Sequence, residues 1–218
     1  MSFPNWQTLF VSTRGLFVSI EGPDPSVNKL LTEHLQLHAK NSVYAPNRYN
    51  DSRSTIGDLL NTSIYGRLEL QDLVFYNLRN ASFWEHQSAM RINCFNGTTI
   101  VTNNYVFTNR AILLSKGNVS TEICPQLDAG LIKPDIQFYV KSDTPDHCQV
   151  PSRFHRDTEE SRALLTEAFI NLSDTYKNLY IIENRPSNIL DAAEQLVNKY
   201  DKVKSRLSHH LSYFNGIE

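Results

Sequence analysis

The stretch FVSIEGPDPSVNKLLTEHL, Phe17–Leu35, sets an apolar, β-branched run against a turn with one glycine, and then against a helical pattern. Phe17 to Ile20 read as a strand buried on both faces, Glu21 and Gly22 end it, and helical spacing resumes by Leu30. A strand that hands its carboxyl end to a glycine turn and a helix N-terminus is the frame of a phosphate-binding loop, where backbone N–H groups and the helix dipole receive an anion. A working loop reads G-x-x-x-x-G-K-[ST]: the glycines let the backbone approach, the lysine neutralises phosphate oxygens and the hydroxyl holds magnesium. Here Gly22 is followed by Asp24 and Ser26, and Val27, Asn28 and Lys29 stand where the second glycine, the lysine and the hydroxyl belong.

Outward from this stretch, further strand signals occur at 15–20, 42–45, 98–103, 136–140 and 179–183, the first being the strand just described. Helical periodicity fills the gaps at about 28–40, 55–63, 68–95, 108–117, 158–177 and 187–208. Alternation of this kind predicts a single α/β domain spanning 1–218, with a parallel sheet covered on both faces. The segment 141–157 has mixed charge, two prolines and no period, and reads as a lid after a strand. The C-terminal KVKSRLSHHLSYFNGIE is expected to prolong the last helix and then become unstructured.

Lys plus Arg total 21 against 23 Asp plus Glu, a balance that argues against nucleic acid as a partner. No basic start precedes an apolar core at the N-terminus and no run approaches a membrane span, so the expectation is a soluble, intracellular protein, cytoplasmic or nuclear. Cys94, Cys124 and Cys148 have no metal or redox spacing and read as free thiols. His34 and His38 share a helix face without a third ligand, and no metal site is expected from them. Five Asn-x-Ser/Thr triplets read as chance matches. In the 68–95 region Leu70, Leu73, Val74, Phe75, Leu78, Phe83 and Trp84 supply an apolar surface for the core.

Four segments in order resemble thymidylate kinase, a P-loop nucleoside monophosphate kinase, from about Arg14 to Tyr200: RGLFVSIEG-x-D-x-S, APNR at 45–48, FWEH at 83–86 and GLIKPDIQFYV at 130–140. The resemblance implies a P-loop kinase-like three-layer α/β/α fold with about five parallel strands and a lid, and a two-fold dimer built partly on the 68–95 region. It also implies where the chemistry sits. The family's loop corresponds to Gly22, Asp24, Ser26, Val27, Asn28 and Lys29, without the second glycine, the lysine and the hydroxyl. Its Asp-Arg pair after the third strand is replaced by Asn103 and Asn104, while Tyr105 keeps the register. Asp24, Arg48, Arg79, Phe83 and Tyr105 map to the monophosphate and nucleoside site, with arginine and phenylalanine exchanged between positions 79 and 83. A catalytic arginine that some relatives place beside Asp24 is Pro25 here, and Arg153 and Arg156 stand in the lid. Small residues after the Asp-Arg pair correspond to Thr108, Asn109 and Arg110, whose bulk is expected to crowd the acceptor pocket.

Phosphoryl transfer is mostly positioning and electrostatic stabilisation, so simultaneous loss of cations and metal ligands removes the chemistry itself. The expectation is an inactive thymidylate kinase-like protein that serves as an interaction or scaffold subunit, either a homodimer or bound to an unlike partner, with no cofactor. Two alternatives stay open. One is an active dTMP kinase using ATP and Mg2+ with Lys29 as a displaced lysine beside Arg48, Arg153 or Arg156. The other is a protein that holds a residual nucleotide without turning it over.

Overall fold

The computed structural model describes residues 14–45, 54–117, 120, 122–142, 159–184 and 189–216. Five strands, β1 (Phe17–Glu21), β2 (Ser42–Ala45), β3 (Thr99–Asn103), β5 (Ile136–Ser142) and β6 (Leu179–Asn184), form one parallel sheet in the order β2-β3-β1-β5-β6. Every residue of β1 is buried, as expected of a central parallel strand covered on both faces. Alternate side chains feed two cores. Phe17, Ile100 and Tyr139 pack under α3 (Asp72–Phe95), α4 (Val106–Leu114) and α6 (Glu159–Thr175). Val18, Ile20, Val101 and Phe138 pack under α1 (Pro25–Ala39) and α7 (Ile189–Lys204). The expected three-layer α/β/α architecture is the one observed.

Local chemistry explains the element ends. Helix α1 starts at Pro25, three residues before the 28–40 pattern, because Asp24 caps it and proline suits the first turn. Its buried face carries Leu31, Leu35 and Ala39 at four-residue spacing. Helix α2 (Thr55–Ile64) is capped by Ser54, whose hydroxyl accepts the Gly57 N–H. Helix α3 begins at Asp72, not 68, and of its apolar residues Phe75 and Phe83 are buried while Leu73, Val74 and Trp84 face outward.

The C-terminal segment differs from its expected course. Helix α7 stops at Lys204, and Ser212–Tyr213 (β7) pair antiparallel with Ile132–Lys133 (β4). Burial drives this return: Leu211 and Phe214 enter the core, and Phe214 exchanges backbone hydrogen bonds with Leu131 and Gly130. A short helix, α5 (Ile123–Asp128), also escapes the periodic reading because six residues are too few to show a period.

Beneath α4 lies a buried ionic network. Asp128 accepts from Tyr76 Oη (2.8 and 2.9 Å), Asn80 Nδ2 (2.5 Å) and Arg110 Nε (2.5 Å), and Arg110 Nη1 also donates to Tyr176 Oη. The rings of Phe107, Tyr176 and Phe214 surround the guanidinium at 5.3, 5.2 and 5.0 Å. Removing one partner of such a pair strands the other charge in a dry interior. Asp128→Ala is therefore expected to cost about 3–5 kcal/mol in denaturant unfolding, and the paired change Arg110→Met with Asp128→Leu to recover most of that loss.

Candidate functional site

Only Gly22, Pro23 and Asp24 separate β1 from α1. Gly22 has φ of 155°, and a Cβ there would sit 2.7 Å from the Val140 carbonyl oxygen, so glycine alone passes between the strands. Asp24 Oδ1 accepts the N–H groups of Ser26 and Val27 at 3.0 Å each, and its carbonyl accepts that of Asn28. The first amides of the helix thus have partners inside the chain. Val27 lies within α1, and the positive φ at this turn belongs to Gly22.

Asn28 is fully buried. Its Nδ2 donates to Gly22 O (3.1 Å) and to Asn104 Oδ1 (3.2 Å), and Gly22 N donates to the same Asn104 oxygen at 3.2 Å. Asn104 adopts φ of 57°, a left-handed conformation that asparagine tolerates better than most residues. Lys29 turns the other way: its side chain is 72% exposed and its Nζ lies 3.9 Å from Glu33.

Glu21, at the end of β1, is wholly buried, and its Oε2 accepts Tyr105 N (2.9 Å), Thr108 N (3.0 Å) and Thr108 Oγ1 (2.6 Å). The Thr108 hydroxyl has one proton and also lies 3.1 Å from Asn104 Oδ1; the shorter contact gives it to the carboxylate. Burial pushes the Glu21 carboxyl above its ordinary range, against the pull of the donors from Thr108, Ser19 and Tyr105. Sequence reasoning passed over Glu21 as a site residue; the signal was an acid closing a strand whose other residues, Ser19 apart, are apolar.

The remaining candidates divide between two environments. Phe83 packs on Tyr105 with ring centroids 4.6 Å apart, and Tyr105 meets Phe17 edge-on at 5.2 Å, so these two candidates are core residues here. Arg79 is buried one turn before Phe83 on α3. Asn103 is half-buried. Asn109 donates to Asn80 Oδ1 at 2.8 Å, and Arg110 reaches the Asp128 network, so the bulk read at 108–110 is spent on core hydrogen bonds. Arg48, Arg153, Arg156 and most of the lid lie outside the described residues.

No group of three potential metal ligands occurs among the described residues. His34 is exposed, and His38 is 2.9 Å from Asp201. Burial pushes the Cys94 thiol to about 12 and that of Cys124 to about 11, which makes both poor nucleophiles. No helix among the described residues is long and apolar enough to cross a membrane.

Three likenesses to known proteins bear on this site. The thymidylate kinase of Plasmodium falciparum is 26% identical over 201 residues, which are 88% of this chain and 92% of that protein. A putative thymidylate kinase of Invertebrate iridescent virus 6 is 29% identical over 147 residues, 66% of this chain and 65% of that one. The solved thymidylate kinase of Candida albicans shares the fold, with a TM-score of 0.76, 19% identity and coverage of 93% of this chain and 96% of that chain. No protein-family model matches the chain.

The buried Glu21 gives the site a pH signature. Its folded value lies above the unfolded one, so the native state binds more protons in the interval between them and loses stability as pH rises through that interval. Glu21→Gln keeps an acceptor for the three donors and removes the titration. Thermal unfolding midpoints of the two proteins are expected to diverge in favour of the variant from about pH 4.5 upward and then run parallel; a gap independent of pH would contradict this assignment.

Proposed function

We propose that this chain, a member of the thymidylate kinase family, does not transfer phosphate and serves as an interaction subunit built on a kinase fold. The observation that carries the reading is the position of Asn28. Its amide lies at the centre of the loop, tied to Gly22 and Asn104, in the region where the family's motif keeps a small residue and a lysine. The loop residues present do not fit a triphosphate with magnesium. The N–H groups of Ser26 and Val27 are held by Asp24, the hydroxyl position carries Lys29, and two neutral amides replace the Asp-Arg pair. Lys29 in place as a displaced phosphate lysine would have to leave Glu33 and turn through the helix.

Losing one such element is survivable, since one oxyanion or phosphate contact is worth about 10²–10³ in rate. Losing the cation, the metal ligand and the open cradle together leaves nothing that neutralises charge in the transition state.

Incubation of the purified chain with ATP, Mg2+ and dTMP is expected to yield no ADP above the blank, and ATP, ADP and dTMP singly to leave the unfolding midpoint unmoved. Turnover that disappears in Lys29→Ala or Arg48→Ala would overturn the reading in favour of an active kinase. A midpoint shift without ADP would instead identify a nucleotide-holding protein.

A further inference from the structure

A concavity of about 970 Å³ lies between the end of α4, α5 and the length of α6. None of its lining residues belongs to the phosphate loop or to the monophosphate set. Leu114, Cys124, Pro125, Ala168 and Leu172 supply an apolar lining, and Leu164 stands at its rim with 43% of its surface exposed. Along α6 the contact runs from Leu164 to Thr175, about 17 Å of helix axis, enough to seat three turns of a second helix.

Charge decides what such a helix would be. Glu167 lines the groove on α6 and Glu122 on the α5 side. Glu160 and Asp174 flank Glu167 at seven-residue spacing, which puts all three in one row, and all are exposed. Among the described residues none of these four carboxylates has an ion-pair partner, whereas the nearby Lys116 is engaged with Asp72 across on α3. Among the described residues the lining contains one cation, Arg110, and that guanidinium is sealed beneath the surface against Asp128. An apolar trough edged by unneutralised acids matches an amphipathic helix with an apolar stripe flanked by lysine or arginine, laid into the groove through anchors at i, i+3, i+4 and i+7.

We propose that the α4–α5–α6 groove is the docking surface for a basic amphipathic helix of a partner protein. This rests on the reading of the chain as an interaction subunit and names the surface and the partner chemistry. Its failure is separable from failure of that reading, because peptide docking and ADP production are measured independently.

The test is fluorescence anisotropy of the full chain with two labelled helical peptides of about 18 residues, one leucine–lysine and one leucine–glutamate, sharing the same apolar stripe. The lysine peptide is expected to bind saturably and the glutamate peptide not to bind. Glu167→Lys is expected to weaken the lysine peptide about tenfold, Leu164→Glu to abolish its binding, and Glu194→Lys, on α7, to leave it unchanged. Thermal unfolding of each variant checks that the fold persists, which the exposure of all three residues favours. Equal binding of the two peptides, no binding of either, or equal weakening by Glu167→Lys and Glu194→Lys would overturn the proposal. So would self-association in sedimentation that Leu164→Glu or Glu167→Lys abolishes, which would assign the groove to a second copy of this chain.

Discussion

Two buried oxygens at the carboxyl end of the central strand, Glu21 Oε2 and Asn104 Oδ1, hold β1, the β3–α4 turn and the start of α1 in one arrangement. The carboxylate gathers the amides of Tyr105 and Thr108 together with the Thr108 hydroxyl; the asparagine oxygen gathers Gly22 N and Asn28 Nδ2. The first satisfies two orphan donors at the N-terminus of α4, where an acid is electrostatically favoured as well. The second closes the loop on itself. A loop that must receive a polyphosphate presents its amides outward, whereas this one spends them within the chain. Stability and ligand binding compete for the same donors, and here the interior has them.

The fold was legible because its strands are short apolar runs separated by helical patterns, a contrast that survives almost any change of function. GLIKPDIQFYV contains both the turn and the buried β5, and LYIIE is β6 almost whole. The site was legible only as a set of losses. That Asn28 stands where the resemblance puts a lysine can be read along the chain; that its amide turns inward to Asn104, 76 positions away, depends on β1 and β3 being in register at Ile20 and Asn103. In the same way Arg110 reads as bulk in a helix, while its role as partner of Asp128 needs α5, a helix too short to announce itself. Phe83 and Tyr105 map by resemblance to the nucleoside site, and only the packing of Phe83 on Tyr105, and of Tyr105 on Phe17, shows them to be core.

The buried network also bears on how the helices around α4 pack. Asn80, Asn109, Arg110 and Tyr176 occupy the space beneath α4 with hydrogen-bonded polar groups instead of aliphatic packing. Among the described residues Arg110 Nη2 is left without a hydrogen-bond partner in this interior, so the cluster contributes little net stability compared with well-packed apolar residues, yet it penalises alternative packing of α3 against α4 and α5.

The return of residues 211–216 onto β4 has a consequence during synthesis. Arg110 and Asp128 are made long before Phe214, whose ring covers the guanidinium from outside. Until residue 214 has been made, the α4–α5 layer lacks one of the rings that pack on that guanidinium. Domains of this size fold as cooperative units, so the emerging polypeptide must wait, hydrated and exposed to chaperones, for a strand of two residues to complete it.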